Sequence, residues 1–341
     1  MTRAGTVLVG IALAVIPSSG EGQAISVREV ASSRGSPEIP FGTIGDMIAI
    51  AGGRVVISDD VNGMLHAWTP KTGAVRTFAR SGSGPGEVRT PTRFAPRPGG
   101  GFALYDVGAS AVLYFDSAGK PDGVTRIRGL VSNPKSLAID DSGRIWISGG
   151  RLTDPRQVHV FAADGRHIAA YGDPSPYLRS ATPKIQAAGG ALRNDPAGGM
   201  LFSWGAPLRI VRFVDNDPSA VRVVAEDRRV LGELREQDIY TPARDVHPNA
   251  MTFRWWHDRT TAIFVLPDGR LLNVITRYYG GTSDWLVYSS SGTLLNRVTI
   301  ARAYYPFHRT PDGRILAAYR DPDTDESIAV LLDVVIRPGA L

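Results

Sequence analysis

Gly143-Arg-Ile-Trp-Ile-Ser148 decides the fold: a glycine, one variable residue, then a short run of β-branched and aromatic side chains, entered through the turn Asp140-Asp-Ser-Gly143. A polar turn feeding such a run reads as a hairpin leading into a strand. The same unit returns as Gly53-Arg-Val-Val-Ile-Ser58, Gly100-Gly-Phe-Ala-Leu-Tyr105, Gly198-Gly-Met-Leu-Phe-Ser203, Gly269-Arg-Leu-Leu-Asn-Val274 and Gly313-Arg-Ile-Leu-Ala-Ala318. After each comes a polar loop and a second alternating run, such as Ala111-Val-Leu-Tyr-Phe115 or Asp284-Trp-Leu-Val-Tyr288. A tight turn (Ala163-Asp-Gly165, Ser290-Ser-Gly292) and a third run (His167-Ile-Ala-Ala-Tyr171) complete the unit. Asp-Gly and Ser-Gly turns are the chemistry of antiparallel hairpins.

With an inner strand before each glycine, the unit has four strands and occurs six times. That is the pattern of an all-β, six-bladed β-propeller with four-stranded antiparallel blades. The last unit has chain for three strands only, over residues 304–310, 314–319 and 327–336, while Ile25-Ser-Val-Arg-Glu-Val-Ala31 is strand-like and belongs to no unit. The N-terminal segment is therefore expected to be the outer strand of the last blade, because a closed ring leaves no exposed sheet edge.

Composition agrees. The 341 residues include 38 Gly and 24 Pro without a collagen period, as many tight turns require. There is no cysteine, which excludes disulfides, thiolate-held metals and thiol catalysis. The 38 basic residues exceed the 33 acidic ones by five, but only Lys71, Lys120, Lys135 and Lys184 are lysines and the arginines are spread along the chain. Dispersed arginine interleaved with acids is a solvated surface, so nucleic acid is not an expected partner. Residues 1–24 read as a secretory signal: Arg3, an uncharged run over 4–16, Pro17, and small residues Gly22 and Ala24 before the expected cleavage point. Thirteen residues of helix rise only about 20 Å, short of a bilayer core. The expectation is a periplasmic or secreted monomer, residues 25–341 forming the ring, with no membrane span after cleavage.

The segments Asn133-Pro-Lys-Ser-Leu-Ala-Ile-Asp-Asp-Ser-Gly-Arg-Ile-Trp-Ile147 and Ile57-Ser-Asp-Asp-Val-Asn-Gly-Met-Leu-His-Ala-Trp68 resemble NHL repeats. Arg80-Ser-Gly-Ser-Gly-Pro-Gly-Glu-Val88 is similar to the Gly-x-Gly-Pro-Gly-Glu signature of secreted bacterial six-bladed propellers of that type. The resemblance implies the fold; it implies no activity, because its members are mostly binding or sensing proteins.

A site is expected on the face that gathers the blade-to-blade crossings and the loops between second and third strands. Gly82, Gly84, Pro85, Gly86 and Glu87 form one such crossing, readable as a blade-to-blade latch or as an anion-binding nest; its three glycines can take φ > 0 and let the chain turn sharply. A rim insertion over about 226–252, with a short amphipathic helix around Val230, Leu231 and Leu234, leads into Arg254, Trp255, Trp256 and His257. With Tyr305, His308, Arg93 and Lys135, these residues are the expected ligand-binding channel mouth. It would suit a small molecule, a glycan or a protein partner.

No catalytic residue is assigned. The six histidines occupy non-equivalent repeat positions, against a three-histidine zinc ring. Calcium-dependent lactonases of the gluconolactonase type share the architecture and need a Glu, two Asn and an Asp in the channel, of which only Asn133 is placed. A metal-dependent (calcium) hydrolase or lactonase is thus the alternative to a non-catalytic binding module, and no cofactor is otherwise expected. Asp321-Pro-Asp-Thr-Asp-Glu326 lacks the glycine of a calcium loop and reads as an acidic surface turn.

Overall fold

In the computed structural model the described residues are 25–36, 38–84, 86–151, 153–172, 189–204, 208–217, 219–231, 240–242, 251–253, 258–277 and 281–337. They form six four-stranded antiparallel sheets. Blade 1 runs Ile44–Ile50, Arg54–Asp59, Met64–Thr69 and Ala74–Ala79, from inner to outer strand. Blade 2 follows with Pro91–Pro96, Phe102–Asp106, Ala111–Phe115 and Pro121–Arg126, and blade 3 with Ser132–Ile139, Ile145–Gly150, Val158–Phe161 and His167–Tyr171. Blade 4 is Ala191–Asn194, Met200–Trp204, Leu208–Phe213 and Val221–Asp227; blade 5 is Asp258–Val265, Leu271–Arg277, Thr282–Tyr288 and Leu294–Ile300. Blade 6 has Tyr305–Arg309, Ile315–Arg320 and Ser327–Ile336, with Ile25–Ser33 as its outer strand, pairing Ile25 with Ile336 and Ser33 with Ala329. The expected closure by the N-terminal strand is the observed one.

Middle strands bury both faces, which is why they read as nearly unbroken apolar runs. Val55 and Ile57 pack toward blade 6 with Leu316 and Ala318, whereas Val56 between them packs toward blade 2 with Phe94 and Leu104. Ile315 and Ala317 likewise face blade 5, and their neighbours Leu316 and Ala318 face blade 1. Each of the six apolar clusters found lies between two adjacent blades. Stability therefore resides in blade-to-blade interfaces, and the ring has to close for all of them to form. Outer strands face solvent instead: Pro121–Arg126 is almost wholly exposed, and Leu294–Ile300 is buried only at its last residue.

Buried aspartates at the ends of second strands tie the crossings down. Asp106 accepts backbone N–H bonds from Arg89 (2.7 Å), Thr90 (2.9 Å) and Ala109 (3.1 Å), fixing both the incoming crossing and the next turn. At the equivalent place in blade 1, Asp59 accepts from the Gly42, Thr43 and Asn62 amides. Burial alone would raise the Asp59 carboxyl; the bonds from His66, Gly42 and Asn62 outweigh it and bring it down to about 2. Asp106→Ala strands three backbone donors and is expected to cost about 2–4 kcal/mol in a urea melt, with Asp106→Asn recovering part of it. A loss under about 0.5 kcal/mol would show that water satisfies these amides instead.

The rim insertion contains a two-stranded ribbon, Tyr240–Pro242 paired with Met251–Phe253. Val230 and Leu231, the first residues of the expected helix, lie in a turn, Val230 in the core between blades 4 and 5. The remainder of that helix lies outside the described residues, as does the signal segment.

Candidate functional site

The six inner strands contact one another in a ring around the channel. All six contribute to one cavity of about 380 Å³ at the mouth on the predicted face. Blade 1 supplies Gly45, Asp46 and Asp60, blade 2 Arg93, blade 3 Asn133, Lys135 and Ser136, blade 4 Arg193, blade 5 Thr260 and Thr261, and blade 6 Tyr305 and His308. Polar side chains reach the channel because an inner strand has a neighbouring blade on each side only along its length; its first residues end against open space.

The floor is a hydrogen-bonded bar across the channel. Arg193 is held by Nε donation to the Ile263 carbonyl (3.2 Å) and Nη2 donation to the Phe307 carbonyl, and its guanidinium lies 5.4 Å from the centre of the Phe264 ring. Its Nη1 donates to His308 Nδ1 at 2.9 Å. An arginine can only donate, so Nδ1 is the acceptor and the imidazole proton sits on Nε2, which faces Asp46 Oδ1 at 3.6 Å. Asp46 accepts in turn from the Phe94 amide (2.8 Å) of blade 2. Burial and the adjacent Arg193 both push the His308 pKa down, with Asp46 opposing them, so the ring is neutral. Burial brings the Arg193 guanidinium down to about 10, still charged at neutral pH. One bar thus joins blades 1, 4 and 6.

Above the bar, Arg93 spans three blades. It donates from Nε to the Lys135 carbonyl (3.0 Å) and from Nη1 to the Gly45 and Thr92 carbonyls (2.6 and 2.7 Å). Its charge is therefore fixed by neutral carbonyl oxygens, without a contacting carboxylate. Lys135 Nζ donates to Asn133 Oδ1 at 2.6 Å, and Asn133 sits at φ 50°, the left-handed region that a short amide side chain tolerates. That geometry leaves Asn133 Nδ2 buried without a hydrogen-bond partner, and Asp60 Oδ1 is in the same condition. Asp60 lies against Gly45, where a Cβ would stand 2.0 Å from Oδ1, so only glycine admits the carboxyl there.

Of the residues expected at the mouth, the structure brings together Arg93, Lys135, Tyr305 and His308. Arg254, Trp255, Trp256 and His257 lie outside the described residues. Asp46, Asp60 and Arg193 were not singled out from sequence. Asp46 and Arg193 are polar residues on short inner strands, a signal that aligning the six repeats on that strand would have exposed; Asp60 follows a second strand and carries no such signal.

The Gly82–Glu87 crossing joins the outer strand of blade 1 to the inner strand of blade 2. Glu87 Oε2 accepts the Gly84 amide at 2.7 Å, and Arg89 Nε donates to Ser83 Oγ. Of its three glycines Gly86 takes positive φ (78°), and Gly82 and Gly84 do not. Gly82 is needed for room: a Cβ there would fall 2.0 Å from the Glu87 carboxylate. Pro85 lies outside the described residues. In the acidic turn, Asp321 accepts the Asp323 and Thr324 amides and both Asp321 and Glu326 pair with Arg34.

Among the described residues no three His, Asp or Glu side chains are grouped to hold a metal ion. Calcium takes six to eight oxygens at 2.3–2.6 Å. Here Asn133 Oδ1 is bonded to Lys135, Asp46 is bonded to the Phe94 amide, and two guanidinium groups line the same cavity. This donor set does not fit calcium.

No family model matches the chain, and no curated protein matches it. Among solved structures it is similar to a protein of Bacteroides fragilis described as exported, at 12% identity and TM-score 0.57, covering 91% of this chain and 95% of that one. A gluconolactonase from Xanthomonas campestris is 14% identical with TM-score 0.54, covering 95% and 99%. The PQQ-bound aldose sugar dehydrogenase of Streptomyces coelicolor is 12% identical with TM-score 0.53, covering 92% and 99%. Likeness at this identity shows the shared propeller fold.

Proposed function

We propose that the chain is an exported, NHL-like propeller whose channel mouth binds a small molecule, working as a monomeric, non-catalytic binding module. One observation supports this above the others: all six inner strands converge on a single cavity of about 380 Å³ that holds two buried, unpartnered polar atoms, Asp60 Oδ1 and Asn133 Nδ2. Buried polar atoms are costly to leave unpaired, and a turn of either side chain would bring the atom to a ligand in the mouth. The volume is at the small end of ligand pockets and suits a sugar or short organic acid better than a peptide. Export is supported by the 1–24 segment and by the fold shared with the Bacteroides fragilis protein; among the described residues no helix is long and apolar enough to cross a membrane. A calcium-dependent lactonase, the alternative that the gluconolactonase neighbour brings to mind, meets a donor set that does not fit the ion.

Native mass spectrometry with a panel of hexoses, sugar acids and short-chain hydroxy acids tests the reading. One-to-one binding is expected for at least one solute, and Ser136→Trp, which places an indole in the mouth, should abolish it with the circular dichroism unchanged. Binding untouched by Ser136→Trp, or no binding across the panel, overturns the channel mouth as the site.

A further inference from the structure

The cavity wall carries four cations from four blades, Arg93, Lys135, Arg193 and Arg320, with two carboxyls of blade 1, Asp46 and Asp60. Asp46 is committed to the floor through the Phe94 amide and His308. Blade 5 contributes only the Thr260 and Thr261 hydroxyl groups, and blade 6 adds Tyr305, Tyr319, neutral His308 and Arg320, the last paired with Asp325 at the rim. Behind Asp60, Asp59 is saturated by backbone amides. Among the described residues Asp60 is thus the carboxyl of the mouth with a buried oxygen that meets no hydrogen-bond donor, and it is pressed onto Gly45 with Oδ1 shut off from water. Burial, aided by Asp46 and Asp59, pushes its pKa up to about 7 against the pull of Arg93.

Resting on the small-molecule reading above, we propose that the mouth takes a small oxyanion, held by Arg93, Lys135 and the Asn133 amide, and that it binds together with one proton on Asp60. The cations meet the negative charge, and charge-assisted bonds of this kind are the stronger ones. Asn133 Nδ2 is a donor that lacks an acceptor, and a turn of the Asn133 side chain would offer it to an oxyanion oxygen. An ionised Asp60 repels such a ligand across the same small cavity; a protonated Asp60 removes that charge. Anion and proton therefore favour each other, and linkage requires the effect to be reciprocal.

The sign follows from the direction of titration. Above the pKa of Asp60 the anion has to recruit a proton, so affinity falls about tenfold between pH 6 and pH 8 for a group titrating near 7. Isothermal titration calorimetry on the chain from Ile25 onward, at both pH values, with gluconate, glycolate, sulfate and neutral glucose as probes, reads this directly. The expected result is tighter binding of the carboxylates at pH 6, with net proton uptake in buffers of different ionisation heat. Asp60→Asn should bind at pH 8 as tightly as at pH 6, and Lys135→Met should weaken binding at both. Sulfate behaving in the same way assigns the site to inorganic oxyanions as well as to carboxylates. Carboxyl carbon NMR supplies a readout independent of any variant: Asp60 should titrate near neutrality in the free chain and shift upward with the anion present. Equal affinity at the two pH values, or an undiminished pH effect in Asp60→Asn, overturns the proposal. Glucose binding without any anion binding overturns it and leaves the small-molecule reading standing; no binding by any probe removes both.

Discussion

A chain that begins at Arg34 should fail to fold, whereas one that begins at Ile25 should fold cooperatively. The strand Ile25–Ser33 covers the edge of Ser327–Ile336 along its length, and its Ile25 and Val27 side chains are buried in the core between blades 5 and 6. Glu29 adds a polar anchor, accepting from the Tyr304 hydroxyl at 2.6 Å and from Arg302 at 2.5 Å. Two buried aliphatic side chains are worth about 3–6 kcal/mol, and the strand's hydrogen bonds and the Glu29 contacts add to that. The sum rivals the 5–15 kcal/mol by which a typical domain is stable. The expected outcome is loss of the near-ultraviolet circular dichroism and of a sharp thermal transition. A synthetic peptide of residues 25–36 should restore both by adding in trans as the missing strand. A truncated chain melting cooperatively within a few degrees of the longer one would show that blade 6 is complete with three strands.

The second large effect is acid sensitivity centred on His159. Its ring is fully buried in blade 3, makes no well-formed hydrogen bond through either nitrogen, and lies 5.6 Å from the His167 ring at a 45° tilt. Burial first, then the charge of Arg151 and the neighbouring His167, lower its pKa from 6.5 to about 4, with Asp154 opposing. The folded ring thus takes up its proton later than the unfolded one as pH falls. Stability contributed by the neutral ring is complete above about 6.5 and drains away toward 4. Asp60, raised in the fold, works in the opposite sense over much of that range, so the effect is isolated by difference. Between pH 7.5 and 4.5 the parent should lose on the order of 2–3 kcal/mol relative to His159→Phe, measured by urea unfolding. At pH 7.5 the Phe variant should be no less stable, because it removes polar atoms that have no partner. His159→Leu serves as a second variant of different shape. Parallel pH profiles for parent and both variants would sink the assignment.

The blade plan was legible because its determinants are local. Gly143, at φ 74° in the turn before Ile145–Gly150, needs only its own two neighbours to make a hairpin, and the alternation of Val55, Val56 and Ile57 is read within three residues. The three-strand remnant at the C-terminus and the orphan strand at Ile25 reveal closure by subtraction. Local reading stops short at Gly82–Glu87: any of the three glycines could take φ > 0, only Gly86 does, and a Cβ on Gly82 would meet the Glu87 carboxylate.

What the sequence alone determined is the repeat: six hairpin-rich units and a spare strand to close them. Four residues it named for the mouth, Arg93, Lys135, Tyr305 and His308, line one cavity in the structure. Only the tertiary structure decided that Arg193 meets His308 and Asp46, residues more than a hundred positions away in either direction, and that Asp60 folds onto Gly45 beside Arg93. Hydrogen-bond partners across a channel are set by the angle at which blades pack and the ring closes. That angle is the summed result of six apolar interfaces, and no single segment of the chain encodes it.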